Sequence, residues 1–189
     1  MKKEYLLILV FFLKTFFTLS QTKEPKTIEN IYGFQIGFVG AWGYYEAVLQ
    51  DNFTLKTELG IDGSYSYSSA DIPKSQYTFL PSISLEPRWY YNIEKRQKLG
   101  KSVENNTGNF FGLKTTYNPS SLFTITNSIN SFDSSIIRFI PSWGLRRSLG
   151  NSFDFELRLG AGYVSTKSIN NQEQGFIFDF SIRLGYIFK

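Results

Sequence analysis

Residues 153–164 read FDFELRLGAGYV, and this stretch alternates between two kinds of side chain. The odd-numbered positions are aliphatic or aromatic, whereas the even-numbered positions begin with Asp154, Glu156 and Arg158 and continue with two glycines. A period of two is typical of a β-strand whose two faces meet different surroundings. The stretch therefore predicts a strand with one apolar face and one charged face.

The same alternation recurs along most of the chain. No helical spacing of apolar residues is sustained anywhere, so the sequence predicts an all-β fold. Most segments are longer than the usual strand of about 5–6 residues, and a tilted strand that crosses a bilayer needs roughly 9–11. The seven predicted segments are 32–43, 53–67, 78–92, 109–117, 135–146, 153–164 and 175–188.

The charged residues of these segments share one face. Seven are basic and six are acidic, which indicates mutual neutralisation, because an unpaired charge is costly to remove from water. Glycines on the same face are predicted to make room for neighbouring arginines. The predicted interior charge network comprises Lys56, Glu58, Asp62, Glu86, Arg88, Lys114, Arg138, Arg146, Asp154, Glu156, Arg158, Asp179 and Arg183.

Two folds segregate side chains in this way. In a soluble sandwich or lipocalin-like barrel the apolar face is the core, whereas in an outer-membrane barrel it meets lipid and the charges line the lumen. Aromatic residues lie near the segment ends with aliphatic residues between them, which favours the membrane barrel, because membrane interfaces select aromatic girdles. One predicted girdle comprises Trp89, Tyr91, Trp143, Phe153, Tyr186 and Phe188, and the other comprises Tyr65, Tyr67, Phe79, Tyr117, Tyr163 and Phe176.

Closure of the sheet sets the predicted strand number. Unpaired strand edges are not tolerated in hydrocarbon, and single-chain bacterial barrels have even numbers of strands. We therefore predict a closed antiparallel up-and-down transmembrane β-barrel of eight strands over residues 32–189. The eighth strand is expected within 32–50, where the alternation changes phase near residues 44–46. This region contains either two strands, about 32–39 and 41–50, or one long bulged strand whose partner lies in the preceding polar residues.

Residues 1–20 are predicted to be a cleaved secretory signal peptide. Two basic residues precede an apolar run, and Thr18 and Ser20 suit cleavage before Gln21. A short polar lead follows over residues 21–31. Cleavage would remove three of the 20 basic residues and one of the 16 acidic residues, leaving an excess of only two positive charges. That balance argues against a nucleic-acid partner.

The absence of two residue types excludes most catalytic chemistry. The chain contains no His and no Cys, so it has no imidazole base, no thiolate nucleophile and no usual zinc ligand set. Carboxylate pairs such as Asp154 and Glu156 are assigned to ion pairs with arginines rather than to acid–base catalysis. We therefore expect no catalytic residue, no cofactor, no metal and no enzymatic activity.

The connections are assigned by counting back from a periplasmic C-terminus. The predicted outer loops are 68–77, 118–134 and 165–174. The second of these contains Leu122, Phe123, Ile125 and Phe132, which either form a ligand patch or pack against the barrel rim.

The periplasmic connections are predicted at 51–52, 93–108 and 147–152. The connection 93–108 is long and basic, with Lys95, Arg96, Lys98 and Lys101. It either contacts anionic lipid headgroups or a periplasmic partner, or is a solvated basic turn.

The final segment carries a resemblance to a known class of protein. Residues 176–188 read FIFDFSIRLGYIF, in which Phe180, Tyr186 and Phe188 alternate with polar or small residues. This segment resembles the C-terminal assembly signal of the small outer-membrane β-barrel proteins of Gram-negative bacteria, and the predicted barrel is similar in build to the outer membrane protein A and X type. The resemblance implies residence in the bacterial outer membrane and insertion by its assembly machinery. Lys189 departs from the pattern, because the family ends on the aromatic residue itself.

The predicted barrel size leads to a functional expectation. An eight-stranded barrel has an interior that side chains just fill. The charges, with Gln35, Tyr90 and Asn92, are therefore expected to plug the lumen, leaving a structural or surface-interaction protein that acts through its outer loops. Its expected partners are outer-membrane lipid, the assembly machinery and an extracellular ligand. The alternative is a narrow non-selective pore for ions or small solutes.

Overall fold

The computed structural model describes residues 28–68, 74–119, 125–126, 134–168 and 171–188; within these ranges the side chains of 65–68, 74–76 and 126 are not described. One short helix, α1 (Ile93–Lys98), and a 3₁₀ turn (Glu104–Asn106) accompany the strands. The strands are β1 (Ile31–Gly37), β2 (Gly40–Gln50), β3 (Phe53–Ser68), β4 (Lys74–Trp89), β5 (Gly108–Asn118), β6 (Ile125–Thr126), β7 (Ser134–Ser148), β8 (Phe153–Ser168) and β9 (Gln172–Phe188).

The eight long strands form a closed antiparallel ring. Each pairs with the next long strand along the chain, and β1 pairs with β9 from Tyr32 opposite Phe188 to Gly37 opposite Arg183. The two-residue strand β6 pairs only with β4. The predicted all-β, up-and-down arrangement of eight strands is confirmed. We name the end where β1 begins and β9 finishes the terminus end, and the opposite end the loop end.

The region 32–50 contains two strands, as the first of the two sequence alternatives has it. The predicted phase change at residues 44–46 is wrong, because the alternation runs unbroken from Trp42 to Glu46 and the register shifts only between Val48 and Gln50. The error has a physical cause. This strand turns the aromatic rings of Trp42 and Tyr44 inward, where the other strands place mainly charged or small residues.

Several strands differ from their predicted limits. Strand β4 begins at Lys74 and ends at Trp89, whereas the predicted segment is 78–92. The strand ends earlier than predicted because Asn92 immediately precedes α1. The helix α1 lies in the connection 93–108, and its six residues are too few to show helical periodicity in the sequence. Within the described ranges, the structure contains no helix with the length and apolar character needed to cross a bilayer.

The ring has an apolar exterior and a polar interior. In β8, Leu159 is 47% exposed whereas the neighbouring Arg158 is 4% exposed. The largest fully buried side chains include Arg88, Arg146 and Lys56. This distribution is the reverse of a soluble protein, in which charged residues are almost never fully buried and large apolar patches are covered.

Glycines on the inner face accommodate aromatic rings. A Cβ atom on Gly144 would collide with the ring of Phe110, and one on Gly60 would lie 2.6 Å from Cδ1 of Trp42. The expectation that these glycines make room for arginines is therefore wrong at both positions. The rings of Phe110 and Trp42 occupy the vacated space and contact the charged side chains from there.

A small apolar cluster closes the terminus end. It joins Ile28, Tyr90, Ile93 and Phe110, all buried, with Val48 and Val103 packed against them. Ile28 belongs to the polar lead and Ile93 to the connection 93–108, so both segments fold over this end of the ring.

Hydrogen bonds hold the two segments together. The backbone N–H of Glu29 donates to Oδ1 of Asn106 over 2.8 Å, and Nδ2 of Asn106 donates to the Glu29 carbonyl over 2.9 Å. The interpretation of 93–108 as a simple solvated turn is therefore wrong for its packed residues, although Lys95, Lys98 and Lys101 are exposed.

Candidate functional site: the interior charge network

All thirteen charged residues predicted for the interior lie on the inner face of the ring. Ten are buried, and the other three, Asp62, Arg138 and Asp179, are partly exposed near the loop end. Strand alternation brings these side chains inward from β3, β4, β5, β7, β8 and β9. The structure therefore brings together residues up to 125 positions apart in the sequence, such as Glu58 and Arg183.

Glu46 is an interior charge that the sequence analysis missed. It is fully buried and accepts hydrogen bonds from Nη1 of Arg146 over 2.7 Å, from the Thr54 hydroxyl over 2.7 Å and from the Tyr90 hydroxyl over 2.9 Å. The available signal was the spacing, because Glu46 lies two residues after Tyr44 and four after Trp42 and shares a strand face with both. This signal indicates the interior only if both aromatic rings are assigned to the inner face. With Glu46 included, the interior holds seven basic and seven acidic side chains.

Two arginines organise the inner cluster, which lies toward the terminus end. Arg88 donates to both carboxylate oxygens of Glu156, over 2.9 and 2.7 Å, and to Glu86 over 2.6 Å. Arg146 lies 2.8 Å from Glu156 and 3.0 Å from Asp154. We define the inner cluster as Glu46, Glu86, Arg88, Arg146, Asp154 and Glu156.

Aromatic and amide groups complete the inner cluster. The guanidinium carbon of Arg88 lies 4.1 Å from the centroid of the Phe110 ring, within cation–π range. Gln35 donates to Asp154 over 3.2 Å and accepts from Lys56 over 2.7 Å. Burial raises the pKa of the Tyr90 hydroxyl, so this group keeps its proton and donates it to Glu46.

Glu58 links the inner cluster to the loop end. Its carboxylate lies 2.7 Å from Nζ of Lys56 on one side and accepts from Arg183 over 2.7 Å and from Lys114 on the other.

The outer cluster lies beyond Glu58, toward the loop end. We define it as Asp62, Lys114, Arg138, Arg158, Asp179 and Arg183. Arg138 pairs with Asp62, and Arg158 pairs with Asp179 over 2.8 Å. This cluster has four basic and two acidic groups, whereas the remainder of the interior has three basic and five acidic groups. The interior is neutral as a whole but positive toward the loop end.

The outer cluster surrounds a cavity, which we call the chamber. The chamber has a volume of about 120 Å³, and all six residues of the outer cluster line it together with Trp42 and Ser181. At about 30 Å³ per water molecule in the liquid, this is space for a few small polar groups. Arg183 stacks on Trp42 in its wall, with 3.8 Å between the guanidinium carbon and the ring centroid.

Buried ion pairs alone do not explain this interior. Replacing a buried ion pair with apolar residues of similar size is often neutral or stabilising, whereas removing one partner costs about 3–5 kcal/mol. Seven charge pairs therefore give the ring no stability that an apolar filling would lack. The charges do fix which face of each strand lies inside, because the charged face cannot replace the apolar face on the exterior.

The predicted aromatic girdle at the terminus end forms two groups of contacting rings. Trp89 stacks on Phe53 and on Phe111, with ring centroids 6.5 and 6.4 Å apart, and Nε1 of Trp143 donates to the Tyr91 hydroxyl over 2.9 Å. Farther round the ring, the centroid of Tyr186 lies 5.3 Å from that of Phe153 and 5.6 Å from that of Phe188.

Several predicted functional segments are only partly described. At the loop end, Tyr117, Tyr163 and Phe176 are exposed. The side chains of Tyr65 and Tyr67, the loop residues Leu122, Phe123 and Phe132, and residues 1–20 lie outside the described residues. Ile125 belongs to β6 and is 54% exposed. In the assembly signal, Phe180, Tyr186 and Phe188 all point outward.

Two further observations bear on ligand binding. Among the residues that the structure describes, no group of acidic side chains has the geometry of a metal site. A groove of about 400 Å³ lies beside α1, lined by Tyr91, Lys95, Arg96, Leu99 and Lys101 with Asn92. The basic residues Lys95, Arg96 and Lys101 of the connection 93–108 form part of this groove, which lies at the terminus end.

Comparisons with protein-family models, with curated proteins and with solved structures give no significant match.

Glu46 provides a direct test of the charge network. We expect Glu46→Gln to lower the free energy of unfolding by about 3–5 kcal/mol, because Arg146 and Arg88 would be left with an uncompensated buried charge. Urea unfolding of the protein in lipid vesicles, followed by tryptophan fluorescence, measures this change. The control Glu94→Gln removes a carboxylate at an exposed position of α1 and should change the unfolding free energy by less than about 0.5 kcal/mol. Equal effects of the two substitutions would contradict the role of Glu46.

Proposed function

We propose that this chain is an integral protein of a bacterial outer membrane, built as a β-barrel with a charge-paired and plugged lumen. It acts as a structural or surface-interaction protein through the loops at its loop end. The observation that carries the proposal is the inverted distribution of side chains: apolar residues cover the outside of the ring, and the fourteen charges named above lie inside, whereas the remaining strand charges, Lys74, Arg147, Lys167 and Glu173, are at strand ends. A bilayer is the solvent that selects this arrangement.

The outer surface supports the proposal in its detail. Exposed aliphatic residues such as Leu159 and Leu184 lie between aromatic residues near the two ends, including Trp89 at the terminus end and Tyr163 at the loop end. Tryptophan and tyrosine favour the boundary between hydrocarbon and water, because their rings are apolar and their N–H or O–H groups are polar. In water, an apolar surface of this extent would drive aggregation.

Ring closure agrees with the same environment. A strand edge in hydrocarbon leaves N–H and C=O groups without partners, at a cost of several kcal/mol for each group. The pairing of β1 with β9, from Tyr32 opposite Phe188 to Gly37 opposite Arg183, removes that edge in the terminus-end part of the ring. Both described ends of the chain, near Ile28 and Phe188, lie at one end of the ring, as expected for a barrel with both termini in the periplasm.

The filling of the interior favours a plug over a pore. Arg88, Arg146, Tyr90 and Phe110 are each less than 1% exposed, and Ile93 packs beneath them at the terminus end. The chamber lies on the loop-end side of these residues. Within the described residues, no channel leads from the chamber past them to the terminus end. We therefore favour the surface-interaction role over the narrow pore.

Cell fractionation tests the proposed location. When the full chain is expressed in a Gram-negative host, we expect it in the outer-membrane fraction, resistant to alkaline carbonate, with a gel mobility that changes on boiling. Leu159→Arg should reduce the folded fraction, because a charge on the lipid face near the bilayer midplane costs about 2–4 kcal/mol.

The matched control is Leu149→Arg, because Leu149 is equally exposed but lies in the turn after β7. This substitution should leave assembly unchanged. A water-soluble protein whose mobility is the same before and after boiling would contradict the proposal.

Conductance measurements separate the plug from the pore. For the purified protein in planar bilayers at high salt we expect no stable current steps, because fully buried side chains fill the terminus end. Reproducible single-channel steps from the folded, heat-modifiable protein would reject the plug and favour the narrow pore.

A further inference from the structure

The ring has an incomplete seam at its loop end. Strand β1 finishes at Gly37, opposite Arg183, and none of the described strands pairs with the β1-facing edge of residues 172–182. Strand β2 reaches only as far as Asp62 of β3, beyond which a single hydrogen bond joins the Gly63 N–H to the Val39 carbonyl. Among the described strands, the short hairpin of β1 and β2 therefore leaves a lateral gap in strand pairing between the loop-end halves of β3 and β9.

An apolar groove of about 430 Å³ lies on the outside of this gap. Its walls include Phe38, which is fully exposed, Phe180, which is 62% exposed, and Ile182, which is 40% exposed. Below it, toward the terminus end, the pairing of Gly37 with Arg183 closes the ring. The groove thus ends where the sheet becomes continuous.

The groove and the chamber meet at shared residues. Trp42, Ser181 and Arg183 line both spaces, as do Val39 and Phe180. The apolar surface outside the ring and the positively charged space inside it therefore share one stretch of wall. A ligand that filled both would need an apolar part and an anionic part.

Three side chains that line the chamber carry buried polar atoms without a partner among the described residues. Nε of Arg158, Nε of Arg183 and Oγ of Ser181 are buried and have no hydrogen-bond partner among the described residues. Both arginines are 4% exposed. Unsatisfied buried donors are costly, and the outer cluster that carries them has four basic and two acidic groups, with the Glu58 carboxylate shared between Lys114 and Arg183. Both features would be relieved by an anion.

We propose that this seam binds a long-chain carboxylate, with the carboxylate group in the chamber and the hydrocarbon chain in the apolar groove. Arginine and serine donors suit a carboxylate, and charge-assisted hydrogen bonds of this kind are stronger than neutral ones. The chamber volume admits a carboxylate. This site goes beyond the proposed surface role and depends only on the seam of the folded ring.

Equilibrium binding to the full chain, folded in a neutral detergent, tests the proposal. We expect saturable binding of radiolabelled palmitate with one site per chain. Hexadecanol, which has the same tail without the charge, should bind at least about tenfold more weakly, and acetate, which lacks the tail, should show no measurable binding. Absence of saturable palmitate binding, or equal affinity for palmitate and hexadecanol, would overturn it.

Matched variants locate the site. Ser181→Ala should weaken palmitate binding by about tenfold, the effect of one hydrogen bond to a charged group. Ser82→Ala should leave it unchanged, because the Ser82 hydroxyl is also buried and unpartnered but lines neither space.

The groove has a similar pair. Phe180→Ala should weaken binding, whereas Phe139→Ala, an exposed position on β7, should not. Equal effects within either pair would reject the site. Palmitate binding is measured in detergent, so the absence of binding would not contradict the proposed outer-membrane location. Likewise, a fractionation result that contradicts the location would not change the binding result.

Discussion

Mutual neutralisation of seven basic and seven acidic side chains is the constraint on which the rest of the structure depends. Each of these groups would be costly to bury alone, and together they form a network in which Glu46, Glu58 and Glu156 each contact more than one cation. Because the network occupies the middle of the ring, the residues that alternate with these charges face outward, and most of them are apolar. The same alternation that fills the interior with charges therefore makes the exterior apolar.

The uneven distribution of these charges gives the two ends different properties. Toward the terminus end, acidic groups outnumber basic ones, and arginines, Phe110, Tyr90 and the segments at Ile28 and Ile93 fill the space. Toward the loop end the balance reverses, the filling is incomplete and the β1–β9 seam stops at Gly37. The terminus end is thus closed, which suits a plugged scaffold. The loop end, among the described residues, is open at the side and lined by more basic than acidic groups, which suits a binding protein.

Much of this arrangement could be predicted from the sequence because period-two alternation is a local signal. The inward charges of β8 and β9 follow directly from it. Glu46 was missed because its neighbours Trp42 and Tyr44 are aromatic, and an aromatic residue in a strand fits either face. The chamber and the seam could not be predicted, because they depend on the length of β1 and on contacts between strands far apart in the sequence. The helix α1 was missed because six residues carry too little periodicity.

The most direct test of the central claim uses the absence of cysteine from the chain, which allows single spin labels to be placed at will. Labels at Phe155, Leu157 and Leu159 of β8, in the protein reconstituted into vesicles, are compared with a label at Asn151 in the preceding turn. The three outward positions should collide readily with oxygen, which dissolves in hydrocarbon, and rarely with a water-soluble nickel chelate, whereas Asn151 should show the opposite. Equal access of the nickel chelate to Leu157 and Asn151 would contradict the account.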